Sequence, residues 1–252
     1  MTVAYFDCFS GIAGDMILGA LLDLGVDQAA LKKELQKLPL TGYDLIVQKI
    51  KSNHITATDV TITVTEDQHH RSLSEINDII TRSSLKPQVK KLSQDIFHKL
   101  GIAEATIHDV DIEEVHFHEV GAVDSIIDIV GSVISISLLG VDTIMCSPLP
   151  LGHGFVSCEH GLLPLPAPAT VELLKGIPVY TVERNQETVT PTGAAVIATL
   201  ASRFGEMPLM KITRIGYGNG KIPSAHPSLL RVYLGELEKK SQKKNIEKKR
   251  KK

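Results

Sequence analysis

The sequence predicts an α/β fold, a mixed sheet with flanking helices, followed by a basic, disordered C-terminal tail. Runs rich in Val, Ile and Thr alternate along the chain with stretches whose apolar residues recur at helical spacing. Capping residues, Pro and Gly fall between these runs. At 252 residues and 43% hydrophobic composition, the chain is long enough to enclose a core without staples.

Val3 to Phe6 reads as a short buried strand, and Met16, Leu18, Leu21, Leu22 and Leu24 then repeat at helical spacing up to Gly25. Asp27 caps a second helix that runs through Leu38 and stops at Pro39. Tyr43 to Ile50 and Ile55 to Thr65 alternate as strands do. Ser72 and Glu75 have capping-box spacing, so two helices follow to about Leu100, the second starting at Pro87. A long helix covers roughly Glu119 to Leu139, and a strand lies near Thr143 to Ser147. A Pro/Gly-rich loop extends through Pro168 and is too long to be only a connector. A helix from Ala169, a strand near Val179, a helix from Thr192 to Phe204 and strands at Lys211–Tyr217 and Leu229–Leu237 complete the body.

Three cysteines at scattered spacings argue against a disulfide framework and for a reducing compartment. The first residues lack a signal-peptide pattern, and Ile126 to Leu139 is too short and polar for a bilayer span. A cytoplasmic protein without membrane association is expected. The net charge of −2 hides an asymmetry, because nine of the last fourteen residues are Lys or Arg. Residues 1–238 therefore form an acidic α/β body, read as one metal-handling domain that two subdomains could divide, and residues 239–252 a solvated lysine-rich tail. An acidic body suits cations better than polyanions.

Several constellations can carry chemistry. Between the first strand and helix, Gly11 and Gly14 let backbone N–H groups approach an anion, while the flanking Asp7 and Asp15 suit a divalent cation; a plain tight turn is the alternative. His69 and His70, with Glu66 and Asp67 before them, offer ligands for a borderline ion such as Ni²⁺ or Zn²⁺, or form an exposed polar turn. The densest cluster runs from His108 to Glu119. In it, His116 and His118 share a face only on extended backbone, which places them just ahead of the long helix. Within that helix Asp124, Asp128, Ser132 and Ser135 draw one polar stripe along an apolar cylinder, so a cation, an Arg or a helix cap must face it. His153, Cys158 and His160 lack zinc-ribbon spacing. Thr190 or Thr192 can cap a helix at Gly193 and leave N–H groups for an anion, although the cap alone explains the motif. The run Gly216 to Lys221 resembles a phosphate loop, but its glycine spacing is wrong and Ile222 replaces the Mg²⁺-binding hydroxyl. Together these point to a divalent-metal site beside an anionic small molecule.

Taken in register, Phe6 to Met16, the His69-His70-Arg71 loop, His116 to Asp128, Leu151-Gly-His-Gly and Thr190 to Ala195 resemble the LarC family of nickel-insertion proteins. Family members insert Ni²⁺ into pyridinium-3,5-bisthiocarboxylic acid mononucleotide, a lyase-class metallation that uses CTP and a divalent ion such as Mg²⁺ or Mn²⁺. The resemblance implies that His69, His70, His116 and His118 deliver nickel, with Asp7, Asp15, Asp124 and Asp128 as supporting ligands. It places the mononucleotide phosphate at Gly11 to Gly14 or at Thr190, Thr192 and Gly193. The implied partners are the nickel-free pincer mononucleotide, lactate racemase apoenzyme downstream and further copies of the chain in a homo-oligomer. Full family members continue into a CTP-binding C-terminal domain, so the resemblance implies that this chain is the N-terminal part and that the missing nucleotide-binding part is a further partner. A non-catalytic nickel store or chaperone would use the same ligands.

Overall fold

The computed structural model describes residues 1–65, 71–117, 121–158, 161–222 and 226–238. Strand β1 (Thr2–Asp7) leads into helices α1 (Gly14–Asp23) and α2 (Gln28–Leu35), then into strands β2 (Tyr43–Ser52) and β3 (Ile55–Val64). Helices α3 (Leu73–Arg82) and α4 (Pro87–His108) follow, then a 3₁₀ turn at Ile112–Glu114 and helix α5 (Val123–Leu138). Strands β4 (Thr143–Cys146), β5 (Leu149–Leu151), β6 (Phe155–Cys158) and β7 (Gly161–Pro164) precede helix α6 (Pro168–Leu173) and strand β8 (Val179–Thr181). Helix α7 (Pro191–Leu200) and strands β9 (Ala201–Phe204), β10 (Met210–Asn219) and β11 (Leu229–Leu237) complete the described chain.

The local signals act as their chemistry requires. Asp27 accepts from the Ala30 amide, and Ser72 with Glu75 forms a reciprocal capping box. Asn53 and His54, both at positive φ, make the two-residue turn that joins β2 to β3.

Seven strands form one mixed sheet in the order β2-β3-β10-β11-β1-β4-β9. Strands β1, β4 and β9 are parallel neighbours, β10 and β3 pair in parallel, and β11 runs antiparallel to both β1 and β10. Five strands, β1, β3, β4, β9 and β10, therefore run the same way and end on one side of the molecule. In β1 and β11, Ala4, Phe6, Leu230, Val232 and Leu234 join the core with Ile17, Leu18 and Leu21 of α1. The alternate residues Tyr5, Asp7, Arg231 and Tyr233 meet one another on the other face, where the Tyr5 and Tyr233 rings are 6.4 Å apart and Asp7 pairs with Arg231. Among the described residues no helix is long and apolar enough to cross a membrane.

Several boundaries differ from the sequence-based expectation. Helix α4 runs two turns past Leu100, ending at His108 with Asp109 in the left-handed conformation. The expected helix from Thr192 to Phe204 stops at Leu200, and Ala201–Phe204 becomes edge strand β9 beside β4. A continuous apolar run cannot reveal that change, because helix and edge strand both accept it. The Pro/Gly-rich stretch is partly ordered: β5 pairs with β8, and β6 with β7 forms a hairpin. The start of the long helix expected at Glu119, and the tail from residue 239, lie outside the described residues.

Helix α1 lies unusually close to the sheet. A Cβ on Gly218 would stand 1.8 Å from the Met16 carbonyl oxygen, and one on Gly216 would stand 2.2 Å from that of Ala20. The run that superficially resembled a phosphate loop is thus a smooth seat for α1. Asp23, at the far end of α1, anchors it by accepting from the Tyr217 amide and the Thr58 hydroxyl, both at 2.8 Å. The β5–β8 unit is tied to the body through Thr188, whose hydroxyl accepts from the Gly152 amide (2.9 Å) and donates to the Pro150 carbonyl (2.7 Å).

Gly218→Ala is expected to destabilise the fold by about 3 kcal/mol, at the upper end for overpacking, whereas Gly140→Ala, with nothing within 4 Å but a φ of 63°, costs only about 1–2 kcal/mol of backbone strain. Urea unfolding of both variants checks the order. Thr188→Val strands a buried amide and is expected to cost about 1–3 kcal/mol, read by the same assay.

Candidate functional site at the carboxyl ends of the sheet

Open α/β sheets bind ligands outside the carboxyl ends of their strands, because the loops and helix N-termini gather there. At this end β1 passes into α1 and β10 passes into Gly220 and Lys221. Helix α5 also begins here, since its C-terminus feeds the opposite end of β4.

The first turns of α1 and α5 bring two expected site residues together. A Cβ on Gly14 would stand 2.7 Å from Asp128 Oδ2, so Asp128 occupies the space that a side chain at position 14 would need. Asp128 is 9% exposed, and its buried Oδ1 has no hydrogen-bond partner among the described residues. Burial, with Asp15 and Asp124 nearby, pushes its carboxyl well above the usual carboxylate range, and Lys221 opposes the shift. Burial also pushes the Asp15 carboxyl up to about 6, against the pull of Lys221, while one Asp15 oxygen accepts from the Met16 amide at 2.7 Å. The Asp124 carboxylate accepts from the Ser125 amide at 2.8 Å. Further along the α5 stripe Ser132 and Ser135 are fully buried, and their hydroxyls have no partner among the described residues. Among the described residues the cation acting on Asp128 is Lys221 rather than an Arg.

Two residues that sequence patterns did not single out complete this cluster. Asp59 of β3 is 5% exposed and accepts from Lys221 Nζ (2.7 Å) and Asn219 Nδ2 (2.9 Å). Burial alone would raise its carboxyl, but Lys221, Asn219 and Gln48 hold it below the usual range. An aspartate within a Thr/Val/Ile strand was the available signal. Lys221 is hidden in the sequence because its glycine-rich approach looks like a failed phosphate loop.

Asp7 has a different partner. Arg231 donates to its Oδ2 from Nε (2.9 Å) and Nη2 (2.5 Å), and the guanidinium lies 5.3 Å from the Phe9 ring centroid and 5.0 Å from that of Tyr233. The two aspartates flanking the β1–α1 turn thus serve separate networks. Next to Asp7, Cys8 and Cys146 are free, buried thiols with sulfurs 3.5 Å apart.

The two anion-friendly turns pack against each other. The Ile12 amide donates to the Thr188 carbonyl (2.8 Å) and the Thr190 amide to the Ile12 carbonyl (3.1 Å). A Cβ on Gly11 would lie 1.9 Å from the Thr188 oxygen, and one on Gly193 would lie 2.5 Å from the Ile12 oxygen. Thr190 caps α7 by accepting from the Gly193 amide at 3.2 Å and shares a 3.0 Å hydrogen bond with Thr192.

His69, His70, His118 and His160 lie outside the described residues. His116 is exposed and bridges Ser72 across an isolated antiparallel pair. Beside it the Phe117 amide donates to the Arg71 carbonyl at 3.2 Å, and Arg71 Nη1 to the Gly121 carbonyl at 3.4 Å. The described neighbours of His70 and His118 in sequence are therefore joined to each other, at the entry to α5. Among the described residues no three His, Cys, Asp or Glu side chains form a group that could hold a metal ion.

The nickel insertion protein family model matches residues 4–250. A putative nickel insertion protein of Dictyoglomus thermophilum is 52% identical over 94% of this chain and 61% of its own length. Pyridinium-3,5-bisthiocarboxylic acid mononucleotide nickel insertion proteins of Desulfitobacterium hafniense and Acetivibrio thermocellus are 50% and 49% identical, over 94% and 95% of this chain and 59% and 62% of their own lengths. The chain thus spans about three fifths of the relatives it matches. No solved structure matches it. The chain belongs to the nickel insertion protein family.

Proposed function

We propose that this chain is the nickel-handling N-terminal part of a protein that inserts Ni²⁺ into pyridinium-3,5-bisthiocarboxylic acid mononucleotide. The observation that carries the proposal is Asp128, a buried carboxyl beside Asp15 and Asp124 with one oxygen that has no partner among the described residues. A carboxylate in a low-dielectric setting is costly unless a cation neutralises it. Lys221 is already hydrogen-bonded to Asp59, so a divalent ion suits the remaining carboxylates. Oxygen donors fit Mg²⁺ or Mn²⁺, and imidazoles fit Ni²⁺ as the substrate metal. His69, His70, His116 and His118 capture nickel, and Asp15, Asp124 and Asp128 receive or balance its charge. Asp7 orients Arg231 at the edge of this site. The mononucleotide lies against the β1–α1 turn and the start of α7, where Gly11, Gly14, Thr190, Thr192 and Gly193 shape the wall of the site rather than cradle its anion. CTP chemistry and the hand-over to lactate racemase are assigned to the whole protein, which in the relatives is longer than this chain.

Calorimetry with Ni²⁺ at neutral pH tests this. Wild type is expected to bind at micromolar or tighter affinity, and binding is expected to weaken at least tenfold both in Asp128→Asn and in the variant with all four histidines changed to Ala. Unchanged affinity in the folded variants would contradict the ligand assignment.

Asp128→Asn is also expected to stabilise the metal-free protein at pH 7 by about 1–3 kcal/mol, because an amide costs less to bury than an ionised carboxyl. The sign of the pH dependence follows from raised folded-state values: for Asp15 the unfolded group ionises near 3.8 and the folded group near 6. Metal-free wild type therefore loses stability as pH climbs through that window, and Asp128→Asn loses less. Urea unfolding between pH 4 and 7 reads both effects.

A further inference from the structure

The acidic cluster has a cationic counterpart across the β1–α1 turn. Arg184, in the segment after β8, reaches to the loop that follows β1, where its Nη1 donates to the Ser10 hydroxyl (2.7 Å) and the Ser10 carbonyl (3.1 Å). Ser10, itself 5% exposed, donates to the Pro227 carbonyl at 2.6 Å, so one buried hydroxyl ties together three separate segments. Among the described residues at this end, Arg231 is neutralised by Asp7. The hydrogen bonds of Arg184 among the described residues go to neutral oxygens of Ser10, and no carboxylate among those residues is paired with it. Beside it stands Tyr180, 45% exposed, close enough to Arg184 and Asp7 for their charges to act on its hydroxyl.

The glycine turns make poor anion cradles by contrast. The open side of Gly11 faces the Thr188 carbonyl and that of Gly193 faces the Ile12 carbonyl, and both present oxygen lone pairs. At the start of α7, Pro191 has no N–H and the Gly193 amide is taken by Thr190. The charge that recognises an anion must come from elsewhere.

We propose that Arg184, set in place by Ser10, binds the anionic end of a planar pyridine mononucleotide whose ring rests on the exposed face of Tyr180. This deepens the proposed function and rests on its placing of a nucleotide beside the metal. A phosphate or carboxylate accepts two parallel hydrogen bonds from a guanidinium, and an electron-poor pyridinium stacks well on a phenol ring. The turn from Ser10 to Asp15 then separates a subsite for the anionic nucleotide from one for the metal.

The test uses nicotinic acid mononucleotide, a pyridinium carboxylate carrying a phosphate, titrated calorimetrically into the full chain without metal. Nickel is titrated in parallel. Wild type is expected to bind the probe, Arg184→Gln and Tyr180→Leu to bind it at least tenfold more weakly, and Arg184→Lys to fall between. Gln can still donate to Ser10, so its effect separates charge from folding, and circular dichroism confirms the fold. Nickel affinity is expected to stay within twofold in all three. Equal probe binding by Arg184→Gln and wild type, or no probe binding by a wild type that binds nickel, overturns the proposal. Probe binding that depends on Arg184 in a protein that binds no nickel would uphold this subsite and overturn the metal assignment instead.

Discussion

The close seating of helix α1 on the sheet holds the rest of the site in place. Gly216 and Gly218 allow the backbone of α1 to rest almost directly on β10, and Gly19 allows the same contact with β3, where a Cβ would stand 2.6 Å from the Thr58 carbonyl. Because the helix sits that low, its first turn comes level with Asp59 and Lys221, and α5 can pack against its other side. Gly14 then leaves the space that Asp128 fills. Side chains at any of these glycines would lift α1 and pull the carboxylates apart.

That geometry makes the metal-free site electrostatically expensive. Asp128 is buried and Asp15 half-buried, and both resist ionisation, while the nearby lysine is engaged by Asp59. Most folds avoid such an arrangement unless it serves a ligand, since replacing a buried charge by a neutral isostere usually helps stability. A divalent cation reverses the sign of the term. On the other side of the same turn Arg184 and Arg231 outnumber Asp7, so one loop separates a region suited to cations from a region suited to anions. The proposed metal-insertion step needs such a pairing, because the anionic acceptor and the incoming cation must be held close without first neutralising each other elsewhere.

Much of the fold was legible because its signals are local. The caps at Asp27, Ser72 and Thr190 each place a helix start, and the Val/Thr alternation of β2 and β3 reports a hairpin without tertiary context. The α5 stripe was legible for a related reason: a carboxyl at Asp128 within an apolar helix stands out against its neighbours, and the structure buries it beside Asp15. What was hidden depends on tertiary proximity. Lys221 and Asp59 are 162 residues apart, and Arg184 meets Ser10 across 174 residues, so no window of sequence contains either pair. The glycines were misleading because close approach of backbone to backbone and of backbone to ligand require the same absent Cβ. The change from α7 to β9 at Ala201 was hidden because edge pairing with β4 decides it rather than local propensity.

The central claim is that the carboxyls at the α1–α5 contact exist to meet a divalent cation. The most direct measurement is anomalous diffraction at the nickel edge from crystals of the protein grown with Ni²⁺. The account predicts a nickel peak within coordination distance of Asp128 or Asp15. A peak held only by other residues, with Asp128 and Asp15 still facing each other unliganded, would contradict it.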